Sequence, residues 1–295
     1  MHQDFFNTNR NNFMEAISGG VAVIASYTAM QRAGDAAQPF EQEANFWYLT
    51  GIESPDWWLI IDGSRHKSWL VAPEVSDMHQ VFEGSLTAEQ AKQTSGVEDV
   101  LNNSEAFDML RDLARKHSVA YTLGDPVGLE HFNFHMNPTA KSMWQRLERT
   151  FTRVQDCRQE LSVLRAIKQP EEIAAIKKVI DLTIGAFTDI KQRLDEFNYE
   201  YEIEAEFGYY FRRKGAKGHD YDPIVAFGKN ACTLHYSEND SRLRKGNLLL
   251  LDVGARHHGY AADITRTYAY GTPTKYQQEV HTAVDTAHHE IVKLI

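Results

Sequence analysis

Cysteine is nearly absent: only Cys157 and Cys232 occur in 295 residues, far apart and in no CxxC pair. That excludes a thiolate zinc ribbon and a disulfide-built scaffold. Dense positive charge is missing as well. Lys+Arg total 31 against 41 Asp+Glu, for a formal net charge of −10, and no long basic run occurs. No nucleic-acid partner is expected of such a chain, because binding a phosphate backbone needs clustered cations. The apolar runs, such as residues 248–251, are far too short to span a bilayer. The opening Met1-His2-Gln3-Asp4-Phe5-Phe6 has neither a basic n-region nor an apolar h-region. The expectations are therefore no membrane association and a reducing, cytoplasmic location. P-loop, GxGxxG, GxSxG and HExxH patterns are all lacking, so the nucleotide, serine-hydrolase and zincin chemistries they mark have no support.

What is present is an ordinary globular composition, 42% hydrophobic and 24% charged, long enough for two domains. Residues 1–20 read as a lead-in helix. Residues 21–25, 57–61, 68–72 and 119–123 read as strands, the middle two forming a hairpin across Asp62-Gly63. Helical periodicity covers 88–93, 104–116 and 141–153. This mixture predicts an α/β domain over residues 1–157. A polar stretch at 153–160 marks the boundary, and residues 158–295 form the second domain.

That second part begins with a well-signalled helix. Pro170 stands at its first position, Glu171 and Glu172 occupy its first turn, and Ile173, Ile176, Ile180, Ile184, Phe187, Ile190 and Leu194 make an apolar stripe. A second helix covers 199–214. Strands follow at 224–227, 248–253 and 259–269, and a last helix runs from 277 with Val280, Val284, Ala287, Ile291 and Leu294 on one side.

The informative segment is Leu248-Leu249-Leu250-Leu251-Asp252-Val253-Gly254, followed by a turn and Gly259-Tyr260-Ala261-Ala262-Asp263-Ile264-Thr265-Arg266-Thr267. A hairpin centred on His257-His258 would set Asp252 directly opposite Asp263, on one sheet face with Cβ atoms about 5 Å apart. Two carboxylates so close repel, and a divalent cation relieves the repulsion. Hard oxygen donors suit Mn²⁺, Mg²⁺ or Co²⁺. Spacing alone leaves the alternative open: one aspartate at a strand edge, the other bonded to a nearby threonine or arginine.

These same residues carry a resemblance. Asp252-x-Gly254 with Gly259-Tyr260-x-x-Asp263-x-Thr265-Arg266-Thr267 resembles the first metal-ligand segment of the pita-bread metallopeptidases. Leu234-His235-Tyr236-Ser237-Glu238-Asn239-Asp240, preceded by residues 221–228, is most similar to aminopeptidase P. Asn45-Phe46-Trp47-Tyr48-Leu49-Thr50-Gly51 and Lys168-Gln169-Pro170-Glu171-Glu172-Ile173 resemble that family too. Gln169 departs from it by standing where such families often place Ser or Thr as a helix cap.

The resemblance implies an α/β N-terminal domain of the creatinase/aminopeptidase P type, then an incomplete α+β pita-bread catalytic domain. It implies a metal-dependent aminopeptidase that cleaves between an N-terminal residue and proline, using a hydroxide bridging two divalent metals. Mn²⁺ is the first expectation for these, with Co²⁺ or Zn²⁺ as alternatives. Asp252 and Asp263 would be metal ligands, Asp263 bridging both ions. His235 would contact substrate in the catalytic step. Tyr221, Thr265 and Arg266 would orient the carboxylates. Peptides with proline at the second position would be the partners, and the assembly would be a homodimer or homotetramer. In such families a later His and two Glu complete the ligand set, so the expectation is of a C-terminally truncated chain, weak or inactive alone. A prolidase-type dipeptidase, a creatinase-like hydrolase and a non-catalytic peptide-binding module on the same fold are the other readings.

Overall fold

The unbroken apolar run Val21–Ala25 forms a strand, β1, with all five residues buried. It lies inside the first of two units, Met1–Lys168 and Gln169–Ile295, into which the chain divides. The structure is a computed structural model and describes residues 1–126 and 135–295.

Around β1 the first unit runs through α1 (Gln3–Ala16), the short exposed strands β2 (Gln31–Ala33) and β3 (Ala36–Ala37), α2 (Ala44–Thr50), β4 (Trp58–Asp62) and β5 (Lys67–Val71). It continues with α3 (Asp77–Phe82), α4 (Ala88–Ser95), β6 (Asp99–Leu101), α5 (Asn103–Ala114), β7 (Val119–Thr122), α6 (Thr139–Glu148), β8 (Arg153–Asp156) and α7 (Arg158–Ala166). Six of these strands make one sheet in the order β6-β5-β4-β1-β7-β8. β4 is antiparallel to both β1 and β5, and the other pairings are parallel.

Both faces of the sheet are covered, which is why its central strands β1 and β4 are buried along their whole length instead of alternating. Ile24, Leu59 and Leu70 pack on one side with Phe13, Leu49, Ala91 and Leu161 of α1, α2, α4 and α7. Val23, Ile60 and Val71 pack on the other with Leu110 of α5 and Leu147 of α6. The unit is thus three-layered. Trp57, Trp58 and Trp69 are all core residues. The division falls later than the expected break after residue 157, because Leu161 on α7 is buried in the N-terminal core.

The second unit contains α8 (Pro170–Gln192), α9 (Glu200–Arg213), β9 (Gly218–His219), β10 (Ile224–Phe227), β11 (Asn247–Val253), β12 (Ala255–His257), β13 (Tyr260–Ala261), β14 (Ile264–Tyr270) and α10 (Lys275–Val292). Its strands form two antiparallel sheets, β10-β11-β14 and β13-β12-β9. Along β11, Leu249, Leu251 and Val253 are buried against Val179, Phe187, Phe207 and Phe211 of α8 and α9. Leu248, Leu250 and Asp252 point the other way and are half-buried.

Three details depart from the expected pattern. On α8 the buried positions are Glu172, Val179, Thr183, Ala186, Phe187 and Ile190, while Ile173 and Ile184 are exposed and Leu194 belongs to a separate short turn. The expected strand 259–269 is broken at 262–263 into β13 and β14. On α10, Val280, Val284 and Ile291 are exposed. No described helix is long and apolar enough to cross a membrane.

Candidate metal centre

The two aspartates are neighbours, but not in the expected register. β12 and β13 pair His257 with Tyr260 and Arg256 with Ala261, so the turn is centred on His258-Gly259. Both turn residues have positive φ, 50° and 75°, as a two-residue type I′ hairpin loop requires. The glycine at 259 is the signal that should have placed the centre there. Shifting the centre moves every partner, and Asp252 of β11 pairs with Thr265 of β14. Asp263 precedes Thr265 by two positions and so shares its side of the strand. The carboxylates are diagonal neighbours on one face, not directly opposed.

Gly254 makes this arrangement possible. A Cβ there would lie 1.7 Å from the carbonyl oxygen of Ala262, an impossible contact. The chain crosses itself closely at this point, breaks the ladder between Val253–Ile264 and Ala255–Ala262, and releases Asp263 from strand pairing.

Tyr221 ties the pair together. Its hydroxyl donates to Asp252 Oδ1 at 2.6 Å and stands 3.1 Å from Asp263 Oδ1. A phenol has one proton, so it can satisfy only one carboxylate at a time. Burial, followed by the hydrogen bond and negative charge of Asp252 and then the charge and hydrogen bond of Asp263, pushes the Tyr221 phenol well above its usual range. The hydroxyl stays protonated while two anions converge on it, which leaves negative charge uncompensated at one point of the surface.

The remaining predicted residues divide. Thr265 lies beside Asp252 across the ladder and is exposed. Arg266 pairs with Leu251, on the opposite side of β14, and its guanidinium donates to the Thr265 carbonyl at 2.7 Å rather than to either carboxylate. His235 is exposed, on a loop between β10 and β11. Among the described residues no hydrogen bond joins it to Asp252 or Asp263. Nor does any group of three or more His, Cys, Asp and Glu side chains among them have metal-holding geometry.

Several braces were not read from the sequence. Glu172, 2% exposed, accepts a hydrogen bond from the Tyr260 hydroxyl at 2.7 Å and from the Gln169 N–H at 2.8 Å. One carboxylate thus starts α8 and pins the hairpin that leads to Asp263. Thr183 of α8 accepts from Ala255 N–H at 3.2 Å. Glu200, at the start of α9, is fully buried and takes part in the loop that carries His235. Glu172 was visible as a first-turn acid, but nothing local foretells a partner 88 residues away.

Residues 174–295 match metallopeptidase family M24, and residues 6–121 match the aminopeptidase P N-terminal domain. The chain is 31% identical over 287 residues to the Xaa-Pro aminopeptidase of Escherichia coli, covering 95% of this chain and 65% of that protein. It is 27% identical to the Xaa-Pro aminopeptidase of Haemophilus influenzae, covering 99% of this chain and 67% of that one. Among solved structures, aminopeptidase P from E. coli with the inhibitor Pro-Leu superimposes with a TM-score of 0.81 at 28% identity, over 96% of this chain and 66% of that one. The chain therefore spans about two thirds of the length of these two relatives.

Proposed function

Because the chain belongs to the aminopeptidase P family of metallopeptidases, we propose that Asp252 and Asp263 hold divalent cations in a site that cleaves the bond between an N-terminal residue and a following proline. The observation that carries this is the convergence of both carboxylates on the single Tyr221 hydroxyl. The donor set fits the group: hard, anionic oxygens on one sheet face, whose negative charge the neutral Tyr221 phenol does not offset. Mn²⁺ is the first choice of ion, with Co²⁺ or Zn²⁺ as alternatives. When bound, the ions supply Lewis acidity and activate the hydrolytic water.

The chain's own residues have distinct tasks. Asp252 is held on β11 by Tyr221 through Oδ1, which leaves Oδ2 to take a cation. Asp263, released from the ladder by the close crossing at Gly254, would supply the second carboxylate that holds the ions. His235, exposed on its loop, donates or accepts a hydrogen bond at the substrate as charge develops on the scissile group. Two carboxylates alone make a shallow cation site, so residues 1–295 bind Mn²⁺ weakly and hydrolyse peptide slowly.

Titration calorimetry with Mn²⁺ tests the site. The wild-type chain should bind with an affinity lost about tenfold or more in Asp252→Asn and Asp263→Asn, each removing one charged ligand. Equal binding by wild type and both variants would overturn the assignment. Rapid Mn²⁺-dependent release of the first residue from an Xaa-Pro-Yaa peptide by this chain would refute the expected weakness.

A further inference from the structure

We propose that Glu200 is the positioning residue of His235, a buried carboxylate whose purpose is to fix the loop that presents the exposed imidazole; this rests on the substrate-facing role given to His235 above. Glu200 is the first residue of α9 and is fully buried. Its Oε1 accepts from Phe227 N–H at 2.7 Å and from the Asn230 side-chain amide at 3.0 Å. Its Oε2 accepts from the Tyr236 hydroxyl at 2.7 Å and from Ser241 N–H at 2.8 Å. These donors stand at the entrance of the loop, inside it and at its exit. One carboxylate therefore closes a segment of chain that has little regular structure of its own.

The rest of the loop points the same way. Asn230 also reaches the Tyr236 hydroxyl and Ser241 Oγ, at 3.0 and 2.9 Å. Glu204, one turn along α9, accepts from the Asn239 side chain at 2.8 Å, and Asn239 also bonds Pro223 O and Val225 N–H. Asn239 is buried and holds a positive φ of 47°, a left-handed conformation that asparagine tolerates better than other residues with a side chain. Between these anchors sits His235, exposed and directly next to the buried Tyr236. A loop that merely filled space would not need two helix carboxylates to hold it. This one keeps an exposed side chain at a fixed place, which is what a group acting on substrate requires.

The chemistry demands a carboxylate at 200. All four partners act as donors, and only a group with two acceptor oxygens satisfies them together. Glu200→Gln, though nearly isosteric, sets an amide NH₂ against the N–H of Phe227 or Ser241. One end of the loop must then come free.

The test compares wild type with Glu200→Gln and with the milder Tyr236→Phe, which removes one donor and leaves the loop's backbone anchors in place. The readouts are the His235 ring resonance, amide hydrogen exchange across 228–241, and exchange across α8 and β11 as a control for global stability. The expected result is a shifted or split His235 resonance in both variants. Loop exchange should accelerate about tenfold or more in Glu200→Gln, with α8 and β11 much less affected. An unchanged His235 signal in both variants, or loosening spread evenly over the unit, would overturn the positioning. A second arm adds Zn²⁺, which is diamagnetic and leaves the resonance readable, and an Xaa-Pro peptide to wild type and follows the same resonance. If Glu200→Gln loosens the loop but the peptide leaves the wild-type His235 signal unmoved, the substrate-facing role fails and takes the proposal with it. The two failures are thereby told apart.

Discussion

At the scale of single residues, the site depends on where glycine stands as much as on where acid stands. Gly254 lets the Ala262 carbonyl come within a distance no side chain tolerates. Gly254→Ala must push the chain at 254 and 262 apart. The expected loss of stability is about 1–3 kcal/mol, the usual range for overpacking a buried position, read from a urea midpoint. Mn²⁺ affinity should fall with it, because Asp263 loses its place beside Asp252. The sequence pattern located both aspartates and their shared sheet face, since a strand's two-residue period survives a shift of the hairpin centre that alters both sides. It could not show that Tyr221 joins them, because the link spans 31 residues to Asp252 and 42 to Asp263 and no periodicity encodes it.

At the scale of elements, the helices were legible where their ends carried their own chemistry. α8 begins at Pro170, as its proline and acids indicated. Its buried face was read less well, because the isoleucines alone do not say which of several apolar positions meets the sheet. α2 offers a test of a cap that sequence alone did not weigh. Glu43 accepts from Phe46 N–H at 2.7 Å and from the Asn45 side chain at 2.9 Å. Burial raises its carboxyl above the ordinary value, with the Phe46 hydrogen bond, Arg158, Asn45 and Arg165 pulling back. A raised folded value means the fold favours the protonated form. That contribution is full below the unfolded value of about 4.3 and is lost as pH rises through the folded value. Urea midpoints followed from acid to neutral pH should therefore fall less steeply in Glu43→Gln, which stays neutral and keeps an oxygen for the cap. Parallel curves for the two proteins would remove Glu43 from the account.

At the scale of the whole chain, the three-layer first unit was foreseeable because its central strands are apolar on both sides and its helices alternate with the strands. The division between units was harder, because a polar stretch at 153–160 reads as a linker while α7 buries Leu161 against the N-terminal core. A fragment of residues 1–168 should fold, and one of 1–157 should be less stable by at least about 2–5 kcal/mol, the usual loss for one buried leucine. Denaturation of the two fragments side by side measures this; equal midpoints would return the boundary to residue 157.

The loop that carries His235 also carries a cysteine. Cys232 is exposed three positions before the histidine, whereas Cys157 is buried and its thiol is held protonated by burial and by neighbouring Asp156 and Glu160. A thiol-directed dye or spin label offered to the native protein will attach at one point only. The molecule thus comes with its own attachment site for a reporter, set on the stretch of backbone whose order matters most, and no cysteine has to be engineered in or out.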